Sequence, residues 1–259
     1  MDILVCVKRV PMVGGKVVLT ADGADVDTQW SGFTVSPHEE CAVEEAVRIT
    51  EREGGSVTVL TLGPPAAVEQ LRDMLAVGAH RGVLLETDGS EWGPMATAAA
   101  IAWAVGELGT ATFPLLMFGN EAADSGGFQV GIRVAHALGR PCVSGLKSLE
   151  LTGGGLRGGR ERGGAQEVFE VPLPAVISVK EGINLPRYPS LPGRLRAKRA
   201  EITVLTPPAR SDGLRKVALR VPDSPAQRAQ ILGEGLAAVP ELVRVLADLG
   251  VVRADGARQ

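Results

Sequence analysis

Two glycine-containing turns in this 259-residue chain have the composition of a phosphate-binding loop. One is Thr61-Leu62-Gly63-Pro64, and the longer one runs from Gly119 to Gly127 and ends in Ser125-Gly126-Gly127. Glycines before a helix let backbone N–H groups approach a phosphate, and the helix dipole favours the negative charge. The sequence therefore predicts a nucleotide phosphate at Ser125-Gly126-Gly127, although such turns also occur without any ligand.

The signatures of common nucleotide enzymes are missing around these turns. No G-x-G-x-x-G follows the first predicted strand and no G-x-x-x-x-G-K-[ST] occurs, which disfavours a dinucleotide dehydrogenase and a Walker-type NTPase. His38, His80 and His136 lie on separate segments without metal-ligand spacing. Cys6 ends an apolar run, where a packed thiol is expected. We therefore predict no catalytic residue and no metal site, and a protein that binds a cofactor and a partner.

The elements that would position these turns alternate along the chain. Continuous apolar runs at 3–7, 57–62, 82–85 and 115–118 predict strands buried on both faces. Ser36-Pro37-His38-Glu39 is a capping box with a proline at the first helical position, and Gly54-Gly55 ends that helix. Further helices are predicted at 64–78, 96–108 and 128–138. This alternation predicts a doubly wound, mostly parallel, Rossmann-like α/β sheet, which binds ligands at the carboxyl ends of its strands.

The pattern of predicted elements changes after about residue 145. Short strands are predicted at 146–151, 167–171 and 175–179, as a β-rich extension of the first sheet with a hairpin tip near Gly163-Gly164. One further helix is predicted at 239–249. We expect a nucleotide-binding α/β domain at residues 1–205 and a C-terminal arm at 206–259 that packs on a partner subunit.

Composition and charge fit a cytoplasmic protein. The net charge of −3 gives no indication of nucleic-acid binding. The three cysteines are widely spaced and form no C-x-x-C pair, which disfavours a disulfide framework or a zinc site and suits a reducing compartment. Because no run approaches the roughly 18 apolar residues that a membrane span needs, we expect no direct membrane insertion.

A proline-rich segment at 184–199 has the features of a protein-docking element. Prolines at 186, 189 and 192 predict an extended surface segment that holds Leu191 out on a stiff backbone. Four cations that follow could steer an acidic partner: Arg194, Arg196, Lys198 and Arg199. Composition alone leaves open whether the segment is a docking element or an ordinary connector.

Several blocks, in order across nearly the whole chain, resemble the electron transfer flavoprotein β subunit family. They include Val5-Cys-Val-Lys-Arg-Val-Pro11, Ala42-Val-Glu-Glu-Ala-Val-Arg48, Val77-Gly-Ala-His-Arg-Gly82, Gly119-Asn-Glu-Ala-Ala-Asp124, Leu173-Pro-Ala-Val176 and Asn184-Leu-Pro-Arg-Tyr-Pro-Ser-Leu-Pro192. The resemblance implies an adenine-nucleotide-binding α/β fold and an α subunit that holds FAD. It also implies an electron carrier that docks flavin-dependent dehydrogenases, not an enzyme in its own right.

The resemblance further implies which residues form the sites. The nucleotide pocket would be lined by Cys6, Ser36, Pro37, His38, Glu39, Leu62, Gly119, Asn120, Glu121, Ala122, Asp124, Ser125, Gly126, Gly127, Phe128, Gln129 and Val130. Val13 would lie at the flavin edge. Leu191 would anchor the dehydrogenase, with Tyr188 and Pro192 beside it. Glu161 matches an acid that helps to hold the mobile FAD domain of the α subunit.

Some positions depart from the family pattern and leave the nucleotide open. Met12 replaces a usual acid, Val13 replaces a frequent aromatic residue, and Arg162 precedes the paired glycines of the hairpin in place of an acid. The loop retains the Gln129-Val130-Gly131 of FAD-binding relatives but lacks their Asp-Thr pair. AMP is favoured, with FAD in an electron-bifurcating protein as the alternative. A nucleotide-hydrolysing or adenylating enzyme is a further alternative, but it would place Ser-Gly-Gly directly after the first strand.

Overall fold

The computed structural model describes residues 1–12, 17–208, 216–222 and 230–252. Within it the chain forms two units, Met1–Leu219 and Arg220–Gln259.

A seven-stranded sheet forms the centre of the larger unit. In spatial order its strands are β12 (Ile202–Leu205), β5 (Arg81–Glu86), β4 (Val57–Gly63), β1 (Ile3–Cys6), β6 (Leu115–Gly119), β11 (Ala175–Val179) and β7 (Cys142–Leu146). Every neighbouring pair is parallel. The predicted parallel sheet is therefore confirmed.

Helices cover both faces of this sheet. One face carries α1 (Pro37–Glu53), α2 (Val68–Ala76) and α5 (Leu191–Arg199), and the other carries α3 (Pro94–Glu107) and α4 (Val130–Leu138). Because side chains alternate along a strand, Ile3 and Val5 of β1 pack with the first group of helices, and Leu4 and Cys6 pack with the second. Each fully buried aliphatic side chain stabilises the fold by about 1.5–3 kcal/mol, so the doubly wound arrangement follows from apolar residues on both faces of the strands.

The remaining strands form two small antiparallel sheets. The first pairs β2 (Arg9–Pro11) with β3 (Phe33–Val35), and the second contains β8 (Ser148–Thr152), β9 (Gly155–Arg162) and β10 (Ala165–Pro172). Gly163 and Gly164 turn between β9 and β10 with φ of 57° and 80°, which confirms the predicted hairpin tip.

The predicted attachment of this β-rich extension was wrong. Strands β8, β9 and β10 form a sheet of their own, whereas β11, which was assigned to the extension, lies inside the main sheet. Burial explains the difference, because β8 alternates between exposed and half-buried residues while all five residues of β11 are buried. An evenly buried strand belongs in a parallel sheet covered on both faces.

The prediction of an extended segment over 184–199 was correct only for its first part. From Leu191 the chain turns into α5, which begins at the N-cap Ser190, whose hydroxyl accepts a hydrogen bond from Gly193 N at 3.1 Å. Pro192 lies in the first turn of this helix, where a missing N–H costs nothing. Leu191 is thus the first residue of a helix rather than the tip of an extended loop.

The smaller unit contains a 3₁₀ turn at Gly235–Ala238 and helix α6 (Val239–Asp248), which confirms the helix predicted there. No residue of α6 is buried, and Leu242 and Val243 are both exposed. Residues 209–215, 223–229 and 253–259 of the predicted arm lie outside the described residues. Over the ranges that the structure describes, no helix combines the length and apolar character that crossing a membrane requires.

Candidate functional site

Three adjacent strands end at the same edge of the main sheet and bring the predicted pocket residues together. Cys6, the last residue of β1, pairs with Leu60 of β4 on one side and with Phe118 of β6 on the other. Leu62 lies two residues after Leu60, and Gly119 lies one residue after Phe118. We call this the carboxyl edge of the sheet.

The first turn of α1 lies directly against the end of β6. Ser36 and Glu39 form the predicted capping box, and the Ser36 hydroxyl also accepts a hydrogen bond from Ala123 N at 2.9 Å. A Cβ on Gly119 would lie 2.6 Å from Glu39 Cγ and 3.2 Å from His38 C. Only a glycine at 119 lets β6 and α1 approach this closely.

Glu39 is a buried carboxylate that joins two elements at this edge. Its Oε2 accepts hydrogen bonds from Lys8 N at 3.0 Å and from Ser36 N at 3.3 Å. Burial raises the pKa of Glu39 to about 8, against the opposing effect of these hydrogen bonds and of the Lys8 ammonium. Burial, and secondarily the Glu39 charge, raises the pKa of the Cys6 thiol, so Cys6 is a neutral packed group.

Lys8 is a further residue of this edge that was absent from the predicted pocket. Its Nζ forms an ion pair with Asp124 Oδ2 at 2.6 Å, which joins the end of β1 to the long glycine-containing loop. Both side chains are partly exposed. The position of Lys8, two residues beyond the first strand, was the available sequence signal.

The floor of the long loop is tied to the neighbouring strands by Asn120. Its backbone N donates to Val179 O at 2.9 Å, and its Oδ1 accepts from the Ser178 hydroxyl at 3.1 Å. Ser178 in turn accepts from Gly145 N at 3.2 Å. Ser178 was also not predicted, because it lies on β11, far from the loop in sequence.

The rim of the loop is open. Ser125, Gly126, Gly127 and Phe128 are all exposed, and a Cβ on Gly127 would meet nothing within 4 Å. Helix α4 begins at Val130, not at 128 as predicted. Phe128 therefore belongs to the loop and adopts a φ of 54°, a region that bulky residues rarely occupy and that is common at functional sites.

These residues fit a ligand with an anionic group, such as a phosphate. The first turn of α4 contains no acidic residue, so its dipole is free to favour a phosphate. His38 Nδ1 is buried and, among the described residues, has no hydrogen-bond partner, which leaves a polar group for a ligand to satisfy. In the same described ranges, His, Cys, Asp and Glu side chains form no cluster of three or more that could hold a metal ion.

The other predicted site residues that the structure describes are not brought to this edge. Val13 lies outside the described residues. Glu161 is exposed on β9, and the small sheet that contains it contacts the main sheet at β7. Tyr188, Leu191 and Pro192 instead precede or begin α5, which packs on α2 near the opposite end of the strand order. The predicted partner contacts thus lie in two separate places.

The fold and this edge define a doubly wound α/β protein in which strand ends, the first turn of α1 and an open glycine-containing loop meet. The family model described as "Electron transfer flavoprotein domain" matches residues 26–210. An electron transfer flavoprotein subunit beta from Mycobacterium bovis is 39% identical over 212 residues, which cover 79% of each chain. One from Bacillus subtilis is 32% identical over 208 residues, again 79% of each chain. One from Syntrophomonas wolfei is 33% identical over 236 residues, 90% of this chain and 91% of the relative. The chain belongs to the electron transfer flavoprotein β subunit family.

Proposed function

We propose that this chain is the β subunit of a heterodimeric electron transfer flavoprotein in the cytoplasm. It accepts no substrate for chemistry of its own, but supports a flavin-bearing α subunit and docks flavin-dependent dehydrogenases, whose electrons pass towards the respiratory chain. The observation that carries the proposal is the junction of β1, β6 and the first turn of α1, where a strand end, a helix start and an open glycine-containing loop meet. The β subunit relatives support the same conclusion.

We assign an adenine nucleotide to the carboxyl edge, held by the predicted pocket residues together with Lys8. Backbone N–H groups of 125–127 and the start of α4 face the phosphate in this proposal, with Lys8 as a nearby cation. AMP is our first choice, since the loop from Asp124 to Gly131 lacks the Asp-Thr pair of FAD-binding relatives. AMP has no redox chemistry, so it would stabilise the fold by ligand linkage alone.

FAD in the same site, as in an electron-bifurcating flavoprotein, is the second candidate. The retained Gln129-Val130-Gly131 at the start of α4 favours it. A bound flavin would supply a carrier for one or two electrons. The Gln129 side chain is already oriented, because its Oε1 accepts hydrogen bonds from Arg133 Nε at 3.1 Å and Nη2 at 2.9 Å.

We assign the contact with the α subunit to the C-terminal arm at 206–259, to Glu161 and to Val13 at the flavin edge. The exposed apolar residues of α6 support the assignment of the arm to this interface, because an amphipathic helix is stabilised when a partner covers its apolar face. The α subunit would hold the FAD that exchanges electrons with the dehydrogenase.

We assign dehydrogenase docking to the segment 184–199. Leu191 is 72% exposed and Tyr188 is 96% exposed, and both stand beside the cations of α5. An apolar anchor with a basic surround is suited to a partner that presents a pocket within an acidic surface.

Co-expression with the α subunit encoded in the same genome tests the proposal. We expect a yellow one-to-one complex whose denaturation releases FAD together with one AMP, or two FAD if the bifurcating candidate is correct, as measured by mass spectrometry. A monomer that carries electrons without a partner, or a complex whose β site releases no nucleotide, would contradict it.

A further inference from the structure

We propose that Arg187, held by Glu44 and Glu51 of α1, is a positioning residue that fixes the docking segment 184–199 in the orientation that presents Tyr188 and Leu191. This inference rests on the docking role proposed above. It concerns a different end of the molecule from the nucleotide site and a residue that need not touch the partner.

Arg187 forms five hydrogen bonds with two carboxylates of one helix. Its backbone N and Nε donate to Glu44 Oε2 at 3.2 and 2.9 Å, and its Nη2 donates to Glu44 Oε1 at 3.2 Å. Its Nη1 and Nη2 also donate to the two oxygens of Glu51, at 2.6 and 2.9 Å. Glu44 and Glu51 are seven residues apart, so they lie on the same face of α1 two turns from each other. The guanidinium bridges both.

Burial makes the Glu44 contact strong. The Glu44 side chain is only 3% exposed, and the Arg187 side chain is 36% exposed. Burial alone would raise the pKa of Glu44, but hydrogen bonds from Arg187 and Arg48 hold it below its ordinary value. A planar guanidinium that forms paired hydrogen bonds to a desolvated carboxylate restricts the orientation of the arginine far more than a surface ion pair does.

Two neighbouring contacts fasten the beginning of the same segment. Asn184 Nδ2 donates to Cys41 O and to Glu45 Oε2, each at 3.0 Å. Arg48 donates from Nη2 to Leu185 O at 3.2 Å and also contacts Glu44. The segment is thus bonded to α1 at three successive points, of which Arg187 is the last before the exposed Tyr188.

After Arg187 the chain lies over a cavity. A cavity of about 600 Å³ lies between the segment and the body of the protein, lined on one side by Tyr188, Ser190 and Arg196 and on the other by α1 and residues 76–80. Tyr188 and Ser190 are therefore both exposed above this cavity. The backbone returns to close contact with the body of the protein at Gly193, where a Cβ would lie 2.4 Å from Ala76 O. The Arg187 bonds therefore hold the chain on the N-terminal side of Tyr188. Helix α5, which is capped by Ser190 and bonded to Arg72 of α2, holds it on the C-terminal side.

A positioning role makes a specific prediction about coupling. If Arg187 acts by presenting Leu191, its replacement weakens docking only while Leu191 is present. If Arg187 contacts the dehydrogenase directly, the two effects add, because independent contacts contribute separately to binding.

The test compares Arg187→Met, Leu191→Ala and the double variant, each as a full-length chain co-purified with the α subunit. Arg52→Met is the matched control, because it removes an arginine charge from an exposed ion pair with Glu53 at the end of the same helix. A flavin-dependent dehydrogenase from the same organism that reduces the wild-type complex serves as partner. KM and kcat are measured for reduction by the dehydrogenase, together with flavin reduction by dithionite and amide hydrogen exchange.

We expect Arg187→Met to raise KM for the dehydrogenase by about three- to tenfold with kcat and dithionite reduction unchanged, and to add nothing in the Leu191→Ala background. Amide exchange should rise at positions 187, 193 and 194, whose N–H groups are hydrogen-bonded to Glu44 and Ser190, and remain unchanged in the long loop at 119–129. Arg52→Met should alter none of these, and Arg187→Lys should restore part of the loss. Unchanged exchange at positions 187, 193 and 194, or additive effects on KM, would overturn the positioning role. A wild-type KM in Leu191→Ala with raised exchange in Arg187→Met would instead overturn the docking assignment and leave the anchoring of the segment established.

Discussion

Replacement of Glu39 by glutamine is expected to stabilise this protein above neutral pH. The N–H groups of Lys8 and Ser36 donate to the same carboxylate oxygen, Oε2. A glutamine side chain can place its carbonyl oxygen there and keep both bonds. The substitution therefore removes a buried negative charge and preserves the hydrogen bonds that join β1 to α1.

The size and sign of the effect follow from the raised pKa. Burial raises the pKa of Glu39 from 4.5 to about 8, so the folded protein binds this proton more tightly than the unfolded chain does. The contribution of Glu39 to the free energy of unfolding is then greatest below about pH 4.5, falls as pH rises, and levels off above about pH 8. At roughly 1.4 kcal/mol per pKa unit, the buried charge costs about 2–5 kcal/mol at pH 9.

Urea unfolding of wild-type protein and Glu39→Gln at pH 5 and pH 9 measures this cost. Subtracting the free energies of unfolding of the two proteins at the same pH cancels the contributions of all other titrating groups. We expect a small difference at pH 5 and an advantage of about 2–5 kcal/mol for Glu39→Gln at pH 9. Glu39→Leu, which loses both acceptor bonds, should be destabilised at both pH values. An equal difference between wild type and Glu39→Gln at the two pH values would refute the assignment of a buried, proton-binding carboxyl group.

Three further substitutions test other parts of the structure. Gly127→Asp should lower nucleotide content and affinity by about tenfold or more. Gly127→Asn adds a side chain of the same size without the charge and should retain most of both, because the protein itself leaves room at this position. Released nucleotide is measured after denaturation. Leu191→Ala should weaken binding to the dehydrogenase by about tenfold, and Leu195→Ala on the same helix should change it little, as measured by surface plasmon resonance. Gly119→Ala should lower the free energy of unfolding by about 1–3 kcal/mol, because the added Cβ would overlap Glu39. An unchanged free energy of unfolding, measured by calorimetry, would show that β6 and α1 are less close.

Local patterns predicted the parts of the fold that depend on neighbouring residues in the sequence. The capping box at Ser36 and Glu39, the continuous apolar strands and the paired glycines at 163 and 164 each specify their own structure, and all appear as expected. Strand β12 and the β2–β3 ribbon were not predicted. They contain three or four residues each, too few to show a period.

The errors arose where a local rule had two outcomes. Pro192 was taken as a sign of extended chain, but a proline in the first turn of a helix is equally favourable, and the Ser190 cap decided between them. Phe128 was predicted as the first residue of the helix at 128–138, yet its positive φ places it in the loop before α4.

The contacts of the candidate site were the least predictable part. Lys8 meets Asp124 across 116 positions in the chain, and Arg187 meets Glu44 across 143. No spacing rule links residues so far apart, so only the folded topology identifies them as partners. The family resemblance supplied the pocket residues but neither of these ion pairs.

Helix α1 connects two regions of the protein that are proposed to do different work. Its first turn carries Glu39 at the carboxyl edge, and its later turns carry Glu44 and Glu51, which hold the docking segment. At 1.5 Å per residue, Ser36 and Glu51 are about 20 Å apart along a single rigid helix. Substitutions in the docking segment can therefore accumulate at one end of α1 without altering the carboxyl edge at the other. The helix also keeps the docking segment and the carboxyl edge at a constant separation.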